Sequence, residues 1–158
     1  MIIISRCPYR ISLLGGGSDL NWFLDKYEHG LSIGLSIPIY SRVVLSYRNE
    51  NVSNGILNYS SREEYSDVNS ICHPIIRNCL KILDIKRPIE FASFGEPLSG
   101  SGLGSSSSFT VALLKGLLAL NNKNLSNEEI ADLACQIEID KMKKPIGMQD
   151  QYLCALGG

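Results

Sequence analysis

A chain of 158 residues, 44% hydrophobic and with a formal net charge of −1, has the size and balance of one globular domain with a real core and is short for two. No basic cluster stands out, which argues against nucleic acid as the main partner. The apolar start, Met1 to Ile4, is cut off by Arg6 and is far too short for a signal peptide, and Lys115 interrupts the longest apolar run, so a cytoplasmic chain without a membrane span is expected.

Residues 2–14 read as a strand that passes into a turn at Gly15, Gly16 and Gly17. A short helix is predicted over 19–27, with Ser18 or Asp19 as its cap. Residues 31–37 alternate apolar with small polar side chains and form a strand, which Pro38 is expected to break; 40–47, rich in β-branched residues, form the next. A polar turn at 49–54 leads to a short edge strand at 55–59, and 60–69 is a charged, solvated connection. A helical face follows over 71–83, then a strand at 89–94. Ser126 and Glu129 form a capping box for a helix with apolar residues at 130, 133, 134 and 137, and a final helix begins near Met148. Strands first, then strand–loop–helix and two further helices, make a two-layer α+β arrangement.

Between the strand at 89–94 and the next helix lies Pro97-Leu-Ser-Gly-Ser-Gly-Leu-Gly-Ser-Ser-Ser-Ser108, running straight into the apolar segment 109–120. Gly100, Gly102 and Gly104 allow positive φ and close approach of backbone to a ligand. A helix starting at Ser105 or Ser106 places free N–H groups and several hydroxyls around one small volume, which suits a phosphate, and serine hydroxyls beside phosphates are natural ligands for Mg²⁺. The Gly/Ser composition alone would also fit a flexible linker, but linkers are not followed at once by such an apolar helix. The Walker loop is disfavoured because no lysine occurs before Lys115, and the dinucleotide loop because the glycines fall as G-x-G-x-G. The stretch is read as a cradle for a nucleotide triphosphate, formed by Pro97, Ser99, Gly100, Ser101, Gly102, Leu103, Gly104, Ser105, Ser106 and Ser107.

The five cysteines (7, 72, 79, 135 and 154) contain no C-x-x-C pair and read as reduced, mostly buried thiols. His29 and His73 offer little for acid–base chemistry. Asp150, in Gly-Met-Gln-Asp-Gln at a helix start, could take a proton from a substrate hydroxyl or merely complement the helix dipole. Glu138 beside Lys141 reads alone as a surface ion pair. Lys141, Lys143 and Lys144 read as a solvated loop that could alternatively grip a substrate phosphate. Tyr9, Trp22, Tyr40 and Tyr152 are core aromatics that could instead stack on a sugar or adenine.

The Gly/Ser loop resembles the second signature motif of the GHMP kinases, the superfamily of galactokinase, homoserine kinase and mevalonate kinase. The segment 6–20, with Gly15-Gly-Gly-Ser-Asp19, is similar to the sugar-site motif of its heptose 7-phosphate kinases and fucokinase-like members, and Gln149-Asp-Gln-Tyr152 to their Q-D-Q-Y segment. The resemblance spans residues 2–158. It implies a fold similar to ribosomal protein S5 domain 2, forming the N-terminal, ATP-binding domain of a longer enzyme whose C-terminal domain is absent from this chain; the fragment alone is then expected to be inactive. It further implies ATP-dependent phosphoryl transfer to a sugar or sugar phosphate, heptose 7-phosphate above all, with a non-catalytic nucleotide-binding fragment or a kinase for another sugar or small alcohol as alternatives. In that frame Asp150 is catalytic, with Arg10 facing it and contacting substrate. Ser106 and Glu138 hold Mg²⁺, and Gly16, Gly17, Ser18, Asp19 and Gln149 bind the sugar. A homo-oligomer is compatible with the family, whereas nucleic-acid and membrane partners are not expected.

Overall fold

The computed structural model describes residues 1–95 and 101–157. One five-stranded sheet has the order β1-β2-β5-β3-β4, where β1 is Ile2–Leu14, β2 Ile33–Tyr47, β3 Gly55–Asn58, β4 Arg62–Tyr65 and β5 Ile89–Phe94. The β3–β5 pair is parallel and the other pairs antiparallel. The helices are α1 (Asn21–Tyr27), α2 (Pro74–Ile82), α3 (Ser105–Leu120), α4 (Asn127–Cys135) and α5 (Gln149–Leu156). The two-layer α+β arrangement expected from the sequence holds.

Three expectations about strands are corrected. Pro38 does not break β2, because Pro38 and Ile39 fall opposite a register step between Pro8 and Tyr9 on β1, where the ladder does not need the missing proline donor. The segment 55–58 is not an edge, since β3 lies between β5 and β4. The charged connection at 60–69 contains the true edge, β4, whose Arg62, Glu63 and Glu64 discourage further pairing. Its apolar anchor is the buried Tyr65, whose hydroxyl accepts from the Ile89 N–H at 3.2 Å.

Helix starts also differ. Leu20, without a side-chain cap, precedes α1, so neither Ser18 nor Asp19 caps it. The α2 helix begins at Pro74 rather than at 71: proline is preorganised for the first helical position, and the His73 ring accepts the Ile76 N–H. Ile71 is buried but lies outside the helix.

The α3 helix is apolar nearly all round because it is covered nearly all round, by β1 and β2 on one side and by α2, α4 and α5 on others. Leu113, Leu114 and Leu117 share the core with Leu45, Phe91 and Ile76. After the capping box of Ser126 and Glu129, α4 widens into a π-helical turn over Gln136–Lys141, in which the Met142 N–H reaches the Ile137 carbonyl at 3.0 Å.

Candidate active site

Three segments distant in sequence converge at one end of the sheet. On β1, the step between Pro8 and Tyr9 interrupts the alternation of inward and outward residues, so Tyr9 and Arg10 are both buried. Arg10 is therefore no surface arginine. Its guanidinium grips Asp150 with both arms, Nε to Oδ1 at 2.7 Å and Nη2 to Oδ2 at 2.5 Å, while Nη1 donates to the Gly102 carbonyl at 2.5 Å. Its backbone N–H adds a bond to the Leu103 carbonyl at 3.1 Å. One residue thus fixes the carboxylate of α5 and the end of the Gly/Ser loop together. The side chain of Asp150 stays 28% exposed against 10% for Arg10, so the carboxylate faces the opening. A bidentate arginine–carboxylate pair is directional as well as strong.

Beside this pair lies a recess of about 300 Å³, lined by Arg10, Ser12, Gly16, Gly17, Asp19, Ile146, Gly147, Gln149 and Asp150. Asp19 shapes its floor: its carboxylate accepts from the Gln149 N–H at 2.8 Å and from the Gly17 N–H at 3.2 Å. A Cβ at Gly147 would collide with that carboxylate, so only glycine leaves room for the contact. The Gln149 amide and the Ser12 hydroxyl bond each other across the recess, at 2.8 and 3.2 Å. The Ser18 hydroxyl is turned inward and donates to the carbonyls of Gly15 and Leu31, closing the glycine turn instead of lining the recess. A larger hollow of about 440 Å³ at 66–68 and 80–86 is lined by solvated charges such as Lys81 and the Asp84–Lys86 pair, and has none of this convergence.

The Gly/Ser loop delivers a helix start. Gly102 and Gly104 have φ of +75° and +69°, and Gly104, the residue before α3, provides no side-chain cap. The first N–H groups of α3 are therefore left for another acceptor. Behind them Glu138 is fully buried, and four donors surround its carboxylate: Ser106 Oγ at 2.5 Å, Ser107 Oγ at 2.8 Å, Gln151 Nε2 at 2.8 Å and Lys144 Nζ at 2.7 Å. Lys144 also donates to Ser106 Oγ at 2.6 Å. The reading of Glu138 as a surface partner of Lys141 does not hold. A buried carboxylate is retained only with partners of this kind.

Of the residues singled out from the sequence, Arg10, Gly16, Gly17, Asp19, Gln149 and Asp150 line the recess, whereas Ser106, Ser107 and Glu138 form the adjoining buried cluster. Ser101, Gly102, Leu103 and Gly104 lie on the turn between the two, Ser105 opens α3, and Pro97, Ser99 and Gly100 fall outside the described residues. Sequence reasoning missed Ser12, Gln151 and the role of Lys144. The Q-D-Q spacing held the signal for Gln151, since residues at 149 and 151 on one helix start point to different walls. His29 lies in an exposed loop, and the His73 ring is taken up in capping α2.

The chemistry of the donor set bears on Mg²⁺. Ser106, Ser107 and Glu138 offer hard oxygens, and the buried Gln151 Oε1 lacks a partner among the described residues. Such a set fits a small divalent cation. Among the described residues no three His, Cys, Asp or Glu side chains are grouped so as to hold a metal ion by themselves.

Comparison with known proteins matches residues 74–158 to the family model for the GHMP kinases N terminal domain. The chain is similar to a D-glycero-alpha-D-manno-heptose 7-phosphate kinase of Campylobacter jejuni, 31% identical over 171 residues that cover 99% of this chain and 49% of the relative. The chain thus spans about half the length of that curated relative. Among solved structures, a D-glycero-D-manno-heptose 1-phosphate kinase from Bacteroides thetaiotaomicron superposes with a TM-score of 0.85 at 25% identity, covering 100% of this chain and 54% of that one. A galactokinase of Lactococcus lactis complexed with galactose shares the fold, at a TM-score of 0.83 and 22% identity over 99% of this chain and 42% of that one.

Proposed function

The chain belongs to the GHMP kinase family, and we propose that it forms the ATP- and substrate-binding N-terminal domain of a kinase that phosphorylates a hydroxyl of a sugar phosphate. The observation that carries this reading is the two-armed Arg10–Asp150 pair, set between a polar recess and the uncapped start of α3. The substrate is a heptose 7-phosphate, phosphorylated at its anomeric hydroxyl; the likeness to the Campylobacter enzyme supports this choice, as does the Gly15–Asp19 turn.

In this mechanism the sugar lies in the recess, its hydroxyls bonded by Asp19, Gln149 and Ser12. The triphosphate rests on the N–H groups that open α3 and on the Gly/Ser turn. Asp150, held in place by Arg10, accepts a hydrogen bond from the attacking hydroxyl. As that oxygen bonds to the γ-phosphorus and the bond to the β–γ bridging oxygen breaks, the proton passes to Asp150 and ADP leaves. Arg10 offsets charge developing on the transferred group. Ser106 and Glu138 would hold Mg²⁺, which when bound neutralises charge on the phosphates. Most of the rate enhancement comes from positioning and from charge complementarity.

Replacing Asp150 by Asn tests the reading, because the amide keeps the shape and loses the proton acceptor. With ATP and heptose 7-phosphate, phosphate transfer should fall by about 10²- to 10⁴-fold while ATP still binds. A variant with near-normal kcat would overturn the assignment. A panel of heptose, fucose and galactose derivatives, mevalonate and homoserine would identify the acceptor.

A further inference from the structure

Lys144 occupies the position expected of a cation. Its ammonium lies 2.7 Å from Glu138 Oε1 and 2.6 Å from Ser106 Oγ, the two groups assigned above to the metal. A divalent ion such as Mg²⁺ would need the same lone pairs at about 2.0–2.1 Å, so ammonium and metal cannot hold them at once. Glu138 is fully buried, and a buried carboxylate without a counter-charge is strongly unfavourable. A protein that must keep this site formed without metal therefore needs a resident cation, and Lys144 supplies it.

Lys144 also has a way out. Its side chain is 27% exposed, whereas that of Glu138 is 0% exposed. It borders a hollow of about 280 Å³ lined by Leu20, Asn21, Trp22, Ile139, Pro145 and Ile146, into which a four-carbon stem can lay its apolar part while the ammonium reaches water. The backbone would not have to follow, because the Lys144 N–H is fixed to the Glu138 carbonyl at 3.1 Å.

We propose that Lys144 is a built-in placeholder for the divalent cation: it neutralises Glu138 when the metal is absent, and it is displaced into the Trp22–Pro145 hollow when the metal arrives with the nucleotide. Lys144 is a positioning residue, and it lowers the apparent affinity for the metal while keeping the site formed. The proposal rests on the nucleotide and metal reading above.

Mn²⁺ serves as the probe, with and without a non-hydrolysable ATP analogue. In Lys144→Met, Mn²⁺ binding followed by electron paramagnetic resonance should tighten by about tenfold, because the competing ammonium is gone. In the unaltered protein, acetylation of Lys144 by an N-hydroxysuccinimide ester, read by mass spectrometry, should rise several-fold on adding Mn²⁺ with the analogue. The acetylation arm needs no variant, so it decides the matter even if Lys144→Met fails to fold. Unchanged or weaker Mn²⁺ binding in a folded Lys144→Met, or acetylation that stays level or falls, overturns the exchange. Analogue binding is measured separately, both with Mn²⁺ and with EDTA. If the analogue does not bind at all, the nucleotide reading fails, while a rise in acetylation with Mn²⁺ alone still upholds the exchange.

Discussion

Arg10 does two jobs with one guanidinium, orienting Asp150 and holding the Gly102 carbonyl at the mouth of the Gly/Ser loop. Lysine keeps the charge but loses the fork. Arg10→Lys should therefore lower kcat by about 100-fold through misplacement of Asp150, and steady-state kinetics with separate nucleotide titration would measure it. His73 makes a pH prediction. Burial first of all lowers its pKa from the usual 6.5, so the neutral ring is favoured in the folded protein, where it accepts the Ile76 N–H and packs between Tyr59 and Phe109. The unfolded chain then binds the proton more readily. Stability is full above about pH 6.5 and declines as the pH falls from there through the lower folded value. Thermal melts from pH 7.5 to 5 should show that decline, and His73→Asn, which can still cap α2, should flatten it. The pairing of Arg10 with Asp150 was foreseeable from family resemblance, since both fall on motif positions. Lys144 was not, because a lysine six residues after a glutamate is not its neighbour on a regular helix.

At the level of elements, the apolar run 109–120 marked α3 plainly, and the Ser126–Glu129 pair marked the start of α4. What could not be read was set by pairing across the sheet: Pro38 is tolerated only because β1 steps opposite it, and the charged β4 is a strand only because β3 lies beside it. Local propensity carries no information about such partners. Gly116 gives the matching stability test. In an isolated helix alanine would be favoured there by about 1 kcal/mol. Here an added Cβ would lie 2.6 Å from Leu45 Cδ2 and 3.3 Å from Ser5 Cβ, where α3 crosses the sheet. Overpacking costs about 1–3 kcal/mol, so Gly116→Ala should lower Tm by several degrees despite its better propensity, as calorimetry would show.

Across the whole molecule, the site draws on the first strand and the turn after it, on the loop before α3 and the start of that helix, and on residues 138–151, which only the finished fold brings together. The order of motifs announced the family, whereas the junction of recess and buried cluster required coordinates. No helix among the described residues is long and apolar enough to cross a membrane. The cysteines report on global integrity. All five are free; Cys72 alone is exposed, and burial pushes the Cys135 thiol up to about 12. A thiol reagent should modify one cysteine per native chain and five after denaturation, with faster release of the other four in any variant that loosens the core. The π-helical turn at Gln136–Lys141 has one more effect, at the level of heredity. It widens the coil just where Glu138 must meet the serines. Loss of a single codon there would restore ordinary winding and rotate the carboxylate off its target by about 100°. The Gly15–Asp19 turn, the Gly/Ser loop and the Gln149–Tyr152 segment would all survive, and the gene would look intact while the buried wall that Glu138 forms had gone.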